Sequence, residues 1–509
     1  MTRNTTLLLL GFITSALNAQ PGVLDPTFGN GGIVTTTYSP DIGNSIPVDM
    51  KLLPDGRIVS MGSFQGLGEA RLAFTMQAPD GTLDPAFGNG GIALQDVDTT
   101  TNIEFWNSLV IDASGRPYAG GSVDYGLAVV RCLANGAPDP TFGNAGLARL
   151  PGSLDTAHAQ GGLALQADGG ILIAGFASGI GYQRGEVYRL LPDGGPDPSF
   201  GNNGRVELDP YSGLEYITDV AVQPDGRIVV CGHAFVAPDQ EGFVLRLNAD
   251  GTTDNTFGTN GRAVLSVAPG DDEAHAIRAL PGGKLLVAGV HEIGSNTQPM
   301  IARLNADGTL DTSFGTSGYT VFTTAYSSYI HDLHVQVDGK ALFCGAMWNG
   351  TIGEAMMLLR VNADGSPDVT FGTDGVVMTQ VGAASSLEIM RAAAVGPDAK
   401  IYAVGRHGSG FTNEAVQGTL RYSAGLNAAI PEAPAATPVA APNPATDRIM
   451  LRFAHPGPHQ LVLSDAQGRL MEQRMVRGQE AEVSLAGLAS GVYLLQDAAR
   501  TWSLRVVKE

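Results

Sequence analysis

Two histidines in this 509-residue chain, His275 and His331, each stand seven places before a turn that recurs along the sequence. His158 lies three places earlier relative to its own copy of that turn, and His334 lies one pleat beyond His331. Equivalent positions in a repeated architecture converge in space. These four side chains could therefore gather to hold a metal ion or to exchange protons, both of which imidazole does near neutral pH. The competing reading is of scattered histidines at strand ends, and the sequence favours it, because no catalytic motif accompanies them.

Gly-x-Ser-x-Gly, Cys-x-x-Cys, His-Glu-x-x-His, a P-loop and an Asp-x-Asp-x-Asp-Gly calcium loop are all missing from the sequence. Gly408-Ser409-Gly410 comes nearest to a nucleophile elbow but has the wrong spacing. Paired carboxylates could cleave a glycoside, yet 50 acidic residues allow any number of pairs. The densest acidic run, Asp271-Asp272-Glu273, follows Pro269-Gly270 and reads as a solvated loop. No catalytic residue, cofactor or metal is assigned on these grounds.

The elements that would position a site are clearer. Seven times an Asp precedes Phe-Gly by three residues, with another Gly following. The sets are Asp25, Phe28, Gly29; Asp84, Phe87, Gly88; Asp139, Phe142, Gly143; Asp197, Phe200, Gly201; Asp254, Phe257, Gly258; Asp311, Phe314, Gly315; and Asp368, Phe371, Gly372. The phenylalanines recur every 55 to 59 residues, the mark of one unit copied in tandem. The carboxylate suits a turn because it accepts bonds from nearby N–H groups. Gly permits a left-handed backbone, and the single large apolar side chain reads as a plug into the core. Between plugs, strand-like runs flank a second turn, as in Lys51–Val59, Ile217–Gly232 and Val335–Phe343. No helical stripe of ten residues appears. About four strands per unit and seven units predict an all-β, seven-bladed propeller over residues 23–423. The segments Phe64–Glu69, Ser178–Gly185, Ala234–Glu241, His291–Pro299 and Met347–Gly353 read as variable loops between the last two strands of their units. Tyr182, Phe235, Trp348 and Phe411 lie in or beside such loops, where recognition usually resides.

The net charge of -20 is mostly turn chemistry. The plug turns and the two Asp-Gly turns of each unit supply eighteen aspartates. No basic stripe suggests nucleic acid. Three cysteines exclude a full disulfide framework, and Cys132, Cys231 and Cys344 are expected as buried thiols.

Residues 1–19 read as a secretory signal peptide, with Arg3 before the apolar run Leu7–Ile13 and Ala19 at the cut. No stretch is long and apolar enough for a membrane-spanning helix. Residues 424–441 form a Pro/Ala-rich linker. Residues 442–509 carry six short strand-like runs, predicting a small β-sandwich.

That final module resembles the type A C-terminal sorting domain of the type IX secretion system of Bacteroidota. The resemblance rests on Pro442-Asn443-Pro444 at its start, Asp465, Gly468 and Arg469 in the middle, and Gly491, Tyr493 and Lys508 near the end. It implies export through the periplasm and across the outer membrane, with the type IX machinery as partner and the tail removed afterwards. Residues 23–423 resemble the delta-60 repeat family, a bacterial β-propeller repeat of unassigned function. The combined expectation is a monomeric, secreted or surface-exposed propeller that binds a glycan or protein ligand or serves a structural role. The alternative class is a polysaccharide lyase or glycoside hydrolase with its site on one propeller face or in the central channel.

Overall fold

A computed structural model describes residues 21–508 except 40–43, 67–68, 98–103, 125, 151–155, 159–160, 180–181, 209–210, 212–214, 237, 268–269, 349, 351–352, 383–385, 409–414, 425–438, 442–445, 466–469, 489–490 and 498–502. The expected signal peptide, most of the linker, Phe411 and the sorting-motif residues Pro442, Asn443, Pro444, Gly468 and Arg469 lie outside the described residues.

The Asp-Gly turns fold as their chemistry dictates. Asp55 and Asp225 each accept a bond from the N–H two residues on, while Gly56 and Gly226 take φ near +85°, at +84° and +86°. Each such turn closes a hairpin, and seven antiparallel sheets result, six of four strands and one, in blade 3, of five because its innermost strand is split. Numbered by their innermost strands, blades 1 to 7 begin with Asn44–Leu52, Glu104–Ile111, a split strand (Thr156–His158 and Leu163–Leu165), Glu215–Val222, Asp272–Ala279, Ser328–Val335 and Ile389–Val395. Each innermost strand touches the next, and that of blade 7 touches that of blade 1, so the ring is closed.

The sequence repeat and the blade are out of step. The repeat spacing groups Arg205–Leu208 with the strands that follow it, but that strand pairs backwards with Tyr182–Leu190. The reason is local: after each plug the chain reverses at once, as where the Asn202 N–H bonds the Arg205 carbonyl. The strand that follows can only lie beside the one before it, as the outermost strand of the same blade. Ile33–Thr36 has no earlier blade to join. It pairs instead with Val416–Ser423 of blade 7 and closes the ring.

The expected variable loops are also mostly strand. The second strands run to Gly66, Gly179, Val236, Ile293 and Trp348, and the third strands start at Glu69, Tyr182, Asp239, Asn296 and Glu354. Between the described strand ends of blade 5, Gly294-Ser295 makes a two-residue turn with φ +67° at Gly294.

All seven plug phenylalanines are buried, none more than 2% exposed. Each fills the space under a turn glycine of the next blade: a Cβ on Gly308 would approach the Phe257 ring within 3.0 Å, and the same holds for Gly251 over Phe200. In six blades an Arg eight residues before the plug-turn Asp, or its circular equivalent, lies over the Phe ring. Arg131, Arg189, Arg246, Arg303, Arg360 and Arg421 sit 4.3 to 4.8 Å from the ring centroids. Their Nε atoms pair with the plug-turn Asp at 2.7 to 3.1 Å. Another guanidinium N–H bonds a turn carbonyl of the next blade, such as Ala306 for Arg246. The Arg thus ties three things together: its own turn, the plug and the neighbouring blade.

These pairings predict acid sensitivity. Burial alone would raise the Asp25 carboxyl, but bonds from Thr27 and the charges of Lys400 and Arg421 hold it at about 2. Asp139, Asp197, Asp254, Asp311 and Asp368 are lowered in the same way. A carboxyl depressed in the fold adds stability above its ordinary value near 3.8 and loses it as pH falls toward the folded value. Burial shifts Asp49 and Asp219 the other way, but they are fewer. The denaturant midpoint should hold from pH 7 to about 4 and then fall steeply by about pH 2. An unchanged midpoint at low pH would contradict this account.

The C-terminal unit, Leu426–Glu509, is a separate body. It has five described strands, not six: Val439–Ala441, Arg448–Asp465, Leu470–Ser484, Gly491–Asp497 and Ser503–Lys508. Four of the expected short runs merge into one long ribbon whose register shifts between Arg452 and Gly457. The first half of its leading strand pairs with Val439–Ala441 and the second half with Gly491–Asp497. Ile449, Leu451, Leu461, Leu463, Val483, Tyr493 and Val506 share its core. Asp465 pairs with Tyr493 and Gly491 with Lys508, whose Nζ bonds the Leu485 carbonyl.

Candidate functional site

Six innermost strands slip register once at the same place, and the extra residues are Val48, Asn107, Thr218, His275, His331 and Arg391. A bulge swings its extra side chain out of the pleat. In the split strand of blade 3, Gly161 and Gly162 take the place; a Cβ at Gly162 would come within 2.2 Å of Asp219 Oδ1. These positions line a central cavity of about 630 Å3 together with Asp49, Lys51, Asp219, Glu273, Arg278 and Asp332.

Part of this lining is a fastening. Asp49 accepts from the Met50 N–H, the Leu109 N–H of blade 2 and Lys51 Nζ at 2.6 Å. Asp219 repeats the scheme with the N–H groups of Val220 and of Ile277 in blade 5, and with Arg278 at 2.7 Å. Arg278 also donates to Asp332 at 2.5 Å. Ser108 does the same for the Leu163 N–H. Burial pushes the carboxyls of Asp49 and Asp219 up, while Arg278 is held charged against its own burial by Asp219 and Asp332.

The remaining polar groups gather between blades 4 and 7. His275 Nδ1 faces the Ile330 carbonyl and Nε2 faces Glu273, both at 2.9 Å. A neutral imidazole donates to only one of them. His233 stacks on Tyr216, 4.9 Å between centroids, and meets His275 edge-on at 6.4 Å. Its Nδ1 is buried without a hydrogen bond. Burial, then Arg391 and His275, pull the His331 pKa well down. Arg391 and the neighbouring Arg406 each leave a buried Nε without a partner.

Of the four sequence-selected histidines, the structure brings His275 and His331 to one wall of the cavity. His334 lies farther along, with Asp332, Arg278 and Lys51 as its charged neighbours. His158 is in a strand of blade 3, paired with Phe176. Among the described residues, no three His, Cys, Asp or Glu side chains are placed to hold a metal ion. The run Asp271-Asp272-Glu273 is not a solvated loop: the blade 5 strand starts at Asp272, which is buried against His291 Nδ1 at 2.9 Å. Strand alternation carries Glu273 to the channel. Cys132, Cys231 and Cys344 are buried and unbridged.

One face of the ring carries several exposed apolar side chains. Innermost strands start where second strands end, as in the Ser328–Met347 pairing. Because every blade repeats this direction, those ends share one face. Phe105 (53% exposed), Phe235 (53%), Ile293 (49%), Tyr329 (39%) and Trp348 (38%) all lie there.

Comparison with known sequences bears on this architecture. The domain of unknown function (DUF5122) beta-propeller family matches residues 166–200, 223–257 and 280–314, each segment ending on a plug phenylalanine. The secretion system C-terminal sorting domain family matches residues 440–507. The chain carries DUF5122 propeller repeats and a type IX sorting tail. That tail indicates export to the cell surface or the extracellular space. No helix among the described residues is long and apolar enough to cross a membrane. No curated protein matches the sequence. Solved structures similar to this chain include polysaccharide lyase Uly1 (9% identity, TM-score 0.43, covering 78% of this chain and 92% of that one). Others are Sqt1 from Chaetomium thermophilum (12%, 0.39, 77% and 100%) and Drosophila Semaphorin 2a (7%, 0.44, 96% and 98%). Likeness at this level carries no argument about activity.

Proposed function

We propose that the exported DUF5122 propeller is a binding module that receives a glycan on the face where its second and third strands turn. The observation that carries this reading is the set of exposed aromatic side chains, Phe105, Phe235, Tyr329 and Trp348, at strand ends on one face of the ring. Flat aromatic faces suit sugar rings, and Tyr329 and Trp348 stand at the same end of one blade. Most of the channel's charges are paired with one another, which supports binding more than turnover.

A glycan array probed with the purified chain tests this. Binding to at least one glycan class is expected, weakened about ten-fold by Trp348→Ala, a loss of the size one stacking contact supplies. An array without signal, or binding indifferent to Trp348 and Phe235, would overturn it. Delivery is tested separately: a chain ending at residue 441 should be retained inside the cell, and its undiminished appearance in the medium would remove the role of the tail.

A further inference from the structure

Three cationic side chains line the central cavity: Lys51, Arg278 and Arg391. Lys51 is paired with Asp49, and Arg278 with Asp219 and Asp332. Arg391 has no ion-pair or hydrogen-bond partner among the described residues, and its Nε is buried. The blade 7 bulge turns it into the cavity, beside His331. Arg406, across the hairpin from Ile389, stands behind it with a second unpartnered Nε. The two guanidinium groups act on each other: burial and then Arg406 pull the Arg391 pKa down. Glu354 is the acidic group that acts on both: burial pushes its carboxyl up and the two arginine charges pull it back, without a direct ion pair among the described residues.

This arrangement is costly in a protein with a net charge of -20. Acidic partners are plentiful, and the other arginines of the repeat have them. A buried guanidinium with a second one beside it, and no carboxylate bonded to either, is destabilising. The two are pre-arranged for a planar anion, which guanidinium binds through two parallel N–H bonds. His233, with a buried Nδ1 lacking a partner, adds a further polar contact to the same cavity wall.

We infer that Arg391, backed by Arg406 and flanked by His331, forms an anion subsite in the channel that takes the carboxylate or sulfate of an acidic glycan. This rests on the glycan-binding reading and narrows it: sugar rings stack on the aromatic face, and the charged substituent reaches into the channel mouth.

The test is calorimetric titration of the full chain with galacturonate and sulfated galactose oligosaccharides, beside neutral galactose oligosaccharides and inorganic sulfate alone. The acidic sugars should bind at least ten-fold more tightly than the neutral ones. Arg391→Gln should abolish that preference, Arg391→Lys should restore part of it, and added salt should weaken it. In the ligand-free protein Arg391→Met should raise the melting temperature, which a merely structural arginine would lower. Equal binding of acidic and neutral sugars, or acidic binding unaffected by Arg391→Gln, would overturn the subsite alone. Failure of every sugar to bind would overturn the glycan reading and the subsite with it. Sulfate binding that competes with acidic sugars and is lost in Arg391→Gln supports the subsite; sulfate binding that survives in Arg391→Gln argues against it.

Discussion

Replacing Phe257 with alanine should lower the stability of the propeller by about 3–5 kcal/mol. The ring is fully buried, so its loss removes transfer free energy and leaves a cavity. The damage is not confined to blade 4. The ring supports Gly308 of the blade 5 turn and carries the Arg246 guanidinium 4.5 Å from its centroid. Arg246 in turn holds Asp254 and the Ala306 carbonyl. The substitution therefore strips packing from a buried ion pair at an inter-blade seam. Equilibrium unfolding in denaturant measures the effect, with Phe235→Ala as the control. Phe235 is 53% exposed and should change stability by less than about 0.5 kcal/mol. A Phe257 variant within about 1 kcal/mol of the parent would show that the plug does not fasten the blades.

Deleting residues 21–36 should have a still larger effect, about 5 kcal/mol or more, because several buried contacts go together. The deletion removes the Phe28 plug, the Asp25–Arg421 ion pair and the outermost strand of blade 7. It also removes Gly22, whose backbone packs against Phe371 and occupies the place that an Asp-Gly turn fills elsewhere. Val416–Ser423 would become an unpaired edge, a template for association with other chains. The expected result is a broad, early thermal transition and aggregates in light scattering. A synthetic peptide of residues 21–36 should restore part of the transition. A truncated protein that melts with the parent and stays monodisperse would mean that the seam contributes nothing to ring integrity.

Much of this architecture is legible in the sequence because it is written in local chemistry. A plug turn needs Asp to accept backbone N–H bonds, Gly for a backbone near φ +50°, and one large apolar group. Seven copies of that set announce seven units. The arginine above each plug was equally available, eight residues before Asp139, Asp197, Asp254, Asp311 and Asp368. It escapes notice because a charged residue in a strand reads as solvent-facing until its partner is known. Blade 1 has Met76 at that place, and there Arg57 approaches Asp84 instead.

The candidate site was less legible. His275 and His331 share a position in the repeat, and that alone brings them to one wall. Glu273, Arg391 and His233 gave no comparable signal. Glu273 belonged to an acidic run resembling a loop, and a lone Arg or His in a strand has no signature. The bulge is the deciding feature, since one extra residue per innermost strand turns a side chain into the channel. Nothing in residue type marks where the register slips.

By itself the sequence determined the number of units, the all-β class, the turns and the destination implied by its tail, because each depends on residues close together in the chain. Only the tertiary structure decided which strands share a blade, that Ile33–Thr36 closes the ring, which charges are neutralised and which cation is left without a partner. Those outcomes depend on contacts between residues some 60 or nearly 400 positions apart, and spacing along one chain does not encode the distance across a ring.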